Sequence, residues 1–427
     1  MISGLVKLLV IADDFTGALD TGIQFRGEGT VLRFDRRKSF FEGLPEKTDV
    51  LIVDAETRHL APEEAAGIVG DIVAEAARKG VYCIYKKTDS GLRGNIGSEL
   101  AAALEQSNSP VLHFVPALPQ LHRVTKAGIH YIDGQKVADS VFGKDPFEPV
   151  LYSDVRQIIG AQSSVRVTLE GQEETPEKGI VLHDAQTEED LHRIARELRE
   201  QDELHLLAGC AGFAVALPEL LGLQKEALPE PNLPEKLLVV CGSVNAITLN
   251  QMDAAEQEGF PRIRLTVPQK LDAGWLDSPQ GQRDLTRMLT AVQAAPCSMI
   301  ECDGLGHPEE LERYRRELGL DLEAVRCRIS HTMGAILKWL LDNGLEATLM
   351  VTGGDTLMAF MELANLRELV PICEYAPGVV LARVTYGGRE RYLLSKSGGF
   401  GDPKLLLYLT NRITADSGAR EPEHAMQ

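Results

Sequence analysis

The sequence predicts an α/β protein made of two α/β domains, each with a mostly parallel sheet, and a ligand cleft between them. Three observations carry this. Near-continuous Val/Ile/Leu runs alternate with amphipathic helix patterns, as strands covered on both faces require. The chain has 427 residues, a length that favours two cores over one. Midway, "LQKEALPEPNLPEK" loses all apolar period and holds three prolines, after which the alternation restarts.

The elements follow in order. "KLLVIADD" reads as the first strand; the run beginning "MISGLVKLLV" lacks the basic start and small-residue cleavage site of a signal peptide. "DVLIVDAETR", "VYCIYKKTDS", "PVLHFVPALP", "GIVLHDA" and "LHLLAGCAG" read as further strands. "PEEAAGIVGDIVAEAARKG" and "TEEDLHRIARELRE" read as helices between them. An insertion near "HYIDGQKV" breaks the order, and its Asp133-Gly134 pair suits a tight hairpin. Beyond the proline-rich stretch, "KLLVVCGSVN", "RIRLT", "CSMIECDG" and "ATLMVTGG" are strands, and "ARVTYGGRERYLLSK" is a hairpin turning at Gly387-Gly388. The expected domains are 1–225 and 236–427, with a linker at 226–235.

Composition excludes several classes. A formal net charge of −19 repels nucleic acid and anionic membrane surfaces. No apolar run approaches the roughly 18 to 20 residues of a membrane span. Seven cysteines occur without C-x-x-C spacing, some inside strand-like runs (Cys83, Cys241), which suits reduced buried thiols and a cytoplasmic location. A homo-oligomer is compatible with all of this.

In open α/β sheets, ligands bind beyond the carboxyl ends of the strands, and the polar clusters fall there. The first strand ends in Asp13 and Asp14, with Thr16 and Gly17 leading into a helix. The second offers Asp54, Glu56 and Arg58; the third offers Lys86, Lys87, Asp89, Ser90, Arg93 and Asn95. Asp14 also suits an ordinary helix cap, and Arg58 a solvated loop. The third cluster is harder to read as a plain surface, because its cations would repel one another without an anion or carboxylate among them. A small polyhydroxylated acid fits: cations hold its carboxylate and aspartates accept from its hydroxyls. In the second half, "CGSVNAITLNQ" and "VTGGDTLMAFM" each run strand, glycine turn, helix, a seat for phosphate. Near the end, "LLSKSGGFGD" places Lys396 and Ser397 before three glycines, which does not match G-x-x-x-x-G-K-[ST]. Its glycines suit close approach to a nucleotide, with Lys396 or Ser397 reaching phosphate. A small-acid site and a polyphosphate site together suggest phosphoryl transfer.

The stretches "IADDFTGALDTG", "KKTDSGLRGNIGSE", "VPALPQLHRVTKAGIHYIDG", "CGSVNAITLNQ", "VTGGDT" and "SKSGGFGD" resemble, in order, the motifs of the four-carbon acid sugar kinases, from Leu9 to Asp402. The resemblance implies an ATP-dependent kinase for threonate, erythronate or 3-oxo-tetronate that phosphorylates the terminal hydroxyl. It implies substrate binding in the N-terminal domain and nucleotide binding in the C-terminal one. By motif, Asp14, Arg58, Lys87, Thr88, Asp89 and Ser90, with Arg93 beside them, take the acid. Ser243, Gly353, Gly354, Asp355, Thr356 and Gly399, with Lys396, take ATP; apart from the resemblance, the charge of ATP's phosphates leads to the expectation of a divalent cation, Mg²⁺. Asp14, Asp89 and Asp355 are the carboxylates from which a base would be drawn. Gly91 departs from the family's usual threonine, His122 from a glycine, and Asp355 from a frequent glutamate. A dinucleotide dehydrogenase would need G-x-G-x-x-G after the first strand, where "DDFTGA" stands. A sensor that binds both ligands without turnover is separated from a kinase by ADP release.

Overall fold

A computed structural model describes residues 6–27, 29–34, 39–145, 148–172, 174–223, 231–242, 245–302, 308–396 and 401–418. The chain divides into two compact units, Met1–Leu228 and Pro229–Gln427.

The first unit contains β1 (Leu8–Ala12), β2 (Thr30–Arg33), β3 (Val50–Asp54), β4 (Cys83–Lys87), β5 (Val111–Val115), β6 (Arg123–Lys126), β7 (Ile129–Ile132), β8 (Gln135–Lys136), β9 (Val167–Leu169), β10 (Gly179–Leu182) and β11 (Leu206–Gly209). Its main sheet is parallel, in the order β2-β3-β1-β4-β11-β5-β10-β9. Every residue of β1, β3 and β4 is buried, as expected for strands with helices on both faces. The helix Pro62–Arg78 starts on a proline with Glu63 and Glu64 in its first turn and buries Ala65, Val69, Ile72, Val73 and Ala76, one apolar stripe. The helix Glu188–Glu200 opens with a Thr187–Asp190 capping box and buries Leu191, Ile194, Ala195 and Leu198. β1 lies between β3 and β4, so the chain leaves it toward one side of the sheet and later returns on the other, a topological switch point of the kind at which open α/β sheets bind ligands.

The inserted strands β6, β7 and β8 form a separate antiparallel sheet. Its β7–β8 turn is Asp133-Gly134, with φ of 49° and 78°, the backbone that a two-residue hairpin demands.

The second unit contains β12 (Leu237–Cys241), β13 (Arg262–Arg264), β14 (Cys297–Glu301), β15 (Thr348–Thr352), β16 (Glu368–Ala376), β17 (Val379–Tyr386) and β18 (Arg389–Lys396). The order is β13-β14-β12-β15-β18-β17-β16, parallel as far as β18 and antiparallel among the last three. The hairpin turns at Gly387 and Gly388, φ 58° and 72°, as expected. β16, which the sequence reading passed over, carries Pro371 at a register shift, where a missing N–H is tolerated. Cys83, Cys210, Cys241, Cys297 and Cys302 are buried and in no disulfide. Among the described residues no helix is long and apolar enough to cross a membrane.

Candidate active site

In the first unit, Ala12 is in register with Asp54 on β3 and with Lys87 on β4, so Asp13 and Asp14 emerge level with both neighbours. Asp14 caps the helix Phe15–Gly22, accepting from the Gly17 N–H at 2.9 Å. The loop after β3 bends back onto β1: the Thr57 and Arg58 N–H groups donate to the Asp13 carbonyl at 3.0 and 3.2 Å. The Asn95 amide donates to the carbonyls of Thr57 (2.8 Å) and Leu60 (2.9 Å), fixing that loop to the one after β4. This construction aims Arg58 inward. Its Nε donates to Asp13 at 2.7 Å and Nη1 to Asp14 at 2.8 Å, while Nη2 lies 3.9 Å from Asp89. Arg93 forks onto Asp89 through Nε (2.8 Å) and Nη2 (3.2 Å), and reaches Asp145 at 3.2 Å.

The charges set one another. Burial would raise the Asp89 carboxyl, but Arg58 and Arg93 overcome it and hold it far below the usual carboxylate range. Asp13 is likewise pushed up by burial yet held low by Arg58, Lys87 and Lys86. Asp54 goes the other way. Burial and the carboxylates of Glu56, Asp14 and Asp13 raise it well above the usual range.

The sequence grouped Lys86 with the rim cations, and the structure corrects this. Lys86 is fully buried, pairs with Glu99 at 2.8 Å and donates to the Lys87 carbonyl. Adjacent strand residues face opposite ways. Lys87 instead reaches the rim: its Nζ would lie 2.4 Å from a methyl placed on Gly17, beside Asp14. Among the described residues no carboxylate lies within ion-pair distance of it. Thr88 donates its N–H to the Gly209 carbonyl at 2.8 Å, and its buried hydroxyl has no protein partner among the described residues. Ser90 is held from the inserted sheet: Arg123 donates to its hydroxyl and His130 Nε2 to its carbonyl at 3.0 Å. Burial pushes the His130 imidazole down to about 4, so it is neutral and its Nδ1 accepts from Thr125. Arg123, His130 and Phe142 were not singled out from sequence.

In the second unit, β12, β15 and β18 are parallel neighbours, with Cys241 opposite Thr352 and Val351 opposite Ser395, so the three strands end on the same side of the sheet. A methyl on Gly242 would lie 1.9 Å from the Thr356 hydroxyl, which shows how closely the first two turns pack. Gly353 has φ 98° and precedes the helix Gly354–Leu363 without any side-chain cap, and Gly354 faces open space. The first N–H groups of that helix are therefore presented as a phosphate seat presents them. The Lys396 ammonium, pushed down by burial to about 8, donates to Thr248 on the helix Ala246–Gln257 at 3.1 Å. Gln251 of that helix donates to the Asp402 carbonyl at 3.1 Å, tying in the chain beyond β18. Asp355 is exposed and pairs with Arg326 at 2.8 Å. Ser243, Ser397 and Gly399 lie outside the described residues.

Comparison with known proteins agrees with this layout. Residues 8–217 match a sugar-binding N-terminal domain, and residues 238–406 match a nucleotide-binding C-terminal domain. The D-threonate kinase of Salmonella typhimurium is 26% identical, covering 94% of this chain and 97% of its own. That of Bordetella bronchiseptica is 27% identical, covering 95% and 96%. Relatives named 3-oxo-tetronate kinase and D-erythronate kinase align as well. Among solved structures, a Salmonella typhimurium protein shares the fold with a TM-score of 0.75 at 21% identity, covering 95% of this chain and 99% of its own. Fold and matches define an ATP-dependent phosphotransferase with an alcohol group as acceptor. The chain belongs to the four-carbon acid sugar kinase family.

Proposed function

We propose that this kinase phosphorylates the terminal C4 hydroxyl of D-threonate, in the cytoplasm, in the catabolism of carbohydrate acids. The supporting observation is the grouping of Asp14, Arg58, Lys87 and Asp89 at the ends of adjacent parallel strands. Lys87 holds the acid's carboxylate or a transferring oxygen, while Thr88 and Ser90 meet its hydroxyls. Arg58 and Arg93 are engaged with aspartates, so they orient carboxylates more than they bind the acid. All three candidate bases are paired with arginines, Asp89 with Arg93, Asp355 with Arg326 and Asp14 with Arg58. Asp14 is partly open and beside Lys87, and it orients the attacking hydroxyl. Phosphoryl transfer through a loose transition state asks for position and charge more than for a strong base.

ATP occupies the second unit's glycine turns, with phosphates at Gly353, Gly354 and Thr356 and with Lys396 beside them; the sequence motifs assign Ser243 and Gly399 to ATP as well. Among the described residues no three His, Cys, Asp or Glu side chains form a metal cage. Mg²⁺ would thus be held largely by nucleotide phosphates and water, neutralising charge on the transferred group. The name of the acid comes from the D-threonate kinases, and D-erythronate and 3-oxo-tetronate are the competing substrates. ADP release measured across these acids tests the reading: the highest kcat/KM with D-threonate supports it, and preference for another acid overturns that choice. Full activity in excess EDTA would remove Mg²⁺.

A further inference from the structure

Two of the cations around Asp89 are neutralised within the protein, and two are not. Arg58 and Arg93 are each saturated by aspartates. The guanidinium of Arg123, on β6, donates to the Ser90 hydroxyl, and among the described residues it has no other side-chain hydrogen bond and no carboxylate within ion-pair distance. Burial pushes its guanidinium below its ordinary range, an imbalance that a bound anion would relieve. Lys87 and Arg123 both act electrostatically on Asp89 and on the Cys210 thiol, so both cations belong to the surroundings of the Asp89 turn.

What holds Arg123 there is Phe142. The ring centroid lies 5.1 Å from the guanidinium carbon of Arg123 and 5.1 Å from that of Arg93, so one aromatic ring packs against both arginines. The ring also fills the space over residue 91: a methyl there would lie 2.5, 2.6 and 2.8 Å from three of its carbons. Gly91 and Phe142 are therefore one fitted pair, and a side chain at 91 requires the ring to leave. Asp145, three residues beyond Phe142, binds Arg93, which ties this segment to the Asp89 turn a second time.

We propose that Arg123 is a binding residue for the acid's carboxylate, and that Phe142 is a positioning residue which holds it, in the room made by Gly91. The inference rests on reading the first unit as the acid site. It goes further by taking a carboxylate ligand from the inserted sheet rather than from the sheet edge.

The test is steady-state kinetics of the full chain with D-threonate and ATP, beside melting curves. Arg123→Gln should raise the KM for the acid about ten- to a hundredfold. The KM for ATP should stay within about twofold, and Arg123→Lys should recover part of the loss. Phe142→Leu keeps the bulk but loses the aromatic face, and should raise the acid KM about three- to thirtyfold, while Phe142→Tyr stays near the parent. Gly91→Ala should raise the acid KM, and adding Phe142→Leu to it should cost less than the two single effects combined. If Arg123→Gln and Phe142→Leu lower the melting temperature but leave the acid KM unchanged, the assignment is overturned. Lys87→Met separates the levels. A raised acid KM there, with Arg123→Gln silent, removes this inference and keeps the acid site; silence in both removes the acid site as well.

Discussion

Gly17 offers a perturbation that separates stability from chemistry. It sits in the helix Phe15–Gly22, buried, three residues after the capping Asp14. An alanine methyl there would lie 2.4 Å from Lys87 Nζ and 2.5 Å from Asp14 Oδ1. Ordinary contact needs about 3.5 Å, so the ammonium must retreat by roughly 1 Å. Retreat is cheap in stability, because the colliding atom is the end of a flexible chain. Alanine also gains up to about 1 kcal/mol over glycine inside a helix. Against this, a weakened cap costs about 0.5–2 kcal/mol. The two nearly cancel, and Gly17→Ala should melt within a few degrees of the parent. Catalysis has no such compensation: a displacement of about 1 Å at a positioning group can cost about a hundredfold in rate. The expected result is a folded enzyme with kcat/KM for the acid reduced about a hundredfold and KM for ATP little changed. ADP release, titrating acid at saturating ATP and then the reverse, measures both. A folded Gly17→Ala enzyme with normal kcat/KM for the acid would show that Lys87 and Asp14 do not face the substrate.

Gly242→Ala should act on the other ligand, because its methyl meets the Thr356 hydroxyl at 1.9 Å: KM for ATP should rise about tenfold or more while that of the acid holds, and the reverse pattern would contradict the assignment of ATP to these turns. Lys86→Met leaves Glu99 buried without its cation and should cost about 3–5 kcal/mol in urea unfolding, with Glu99→Leu added to it recovering most of the loss. His113 and His183 are buried and 3.0 Å apart, and burial pushes them down to about 4 and about 3. The unfolded chain binds protons at these residues from about pH 6.5 downward and the fold does not, so stability is full above that pH and falls below it by about 1.4 kcal/mol per unit for each histidine. His183→Asn should flatten that slope in pH-dependent unfolding between about 6.5 and 4, and an unchanged slope would place the acid sensitivity elsewhere.

β1, β3, β4, β5, β10 and β11 were legible because their apolar runs are uninterrupted, whereas the short strands β2 and β9 were passed over, and the polar residues after β1, β3 and β4 stood out. The structure brings those three ends together at neighbouring strands. What the sequence could not show was how the charges are spent. Counting cations after β4 says that compensation is needed, but only the fold assigns Lys86 to Glu99 and Arg93 to Asp89 while leaving Lys87 and Arg123 uncompensated. The alternation of side chains along a strand already separates Lys86 from Lys87, and that signal went unused. Arg123 and Phe142 were hidden for another reason. They lie on an insertion whose strand "RVTK" has no apolar period, more than thirty residues from the turn they contact. β16 was missed because Pro371 argues against a strand unless a bulge excuses it.

The order of strands has a consequence for how the chain is made. In each unit the strand synthesised last is inserted into the middle of the sheet: β11 between β4 and β5, and β18 between β15 and β17. A ribosome that has released only the earlier strands therefore displays two half-sheets with facing unpaired edges, the kind of surface that pairs with the wrong partner. The proposed acid site shares this fate, since Thr88 is held by the Gly209 carbonyl at the end of β11. Nascent chains stalled before residue 206 should thus be protease-sensitive and aggregation-prone, whereas those long enough to free β11 acquire a closed first unit before the second has begun to fold.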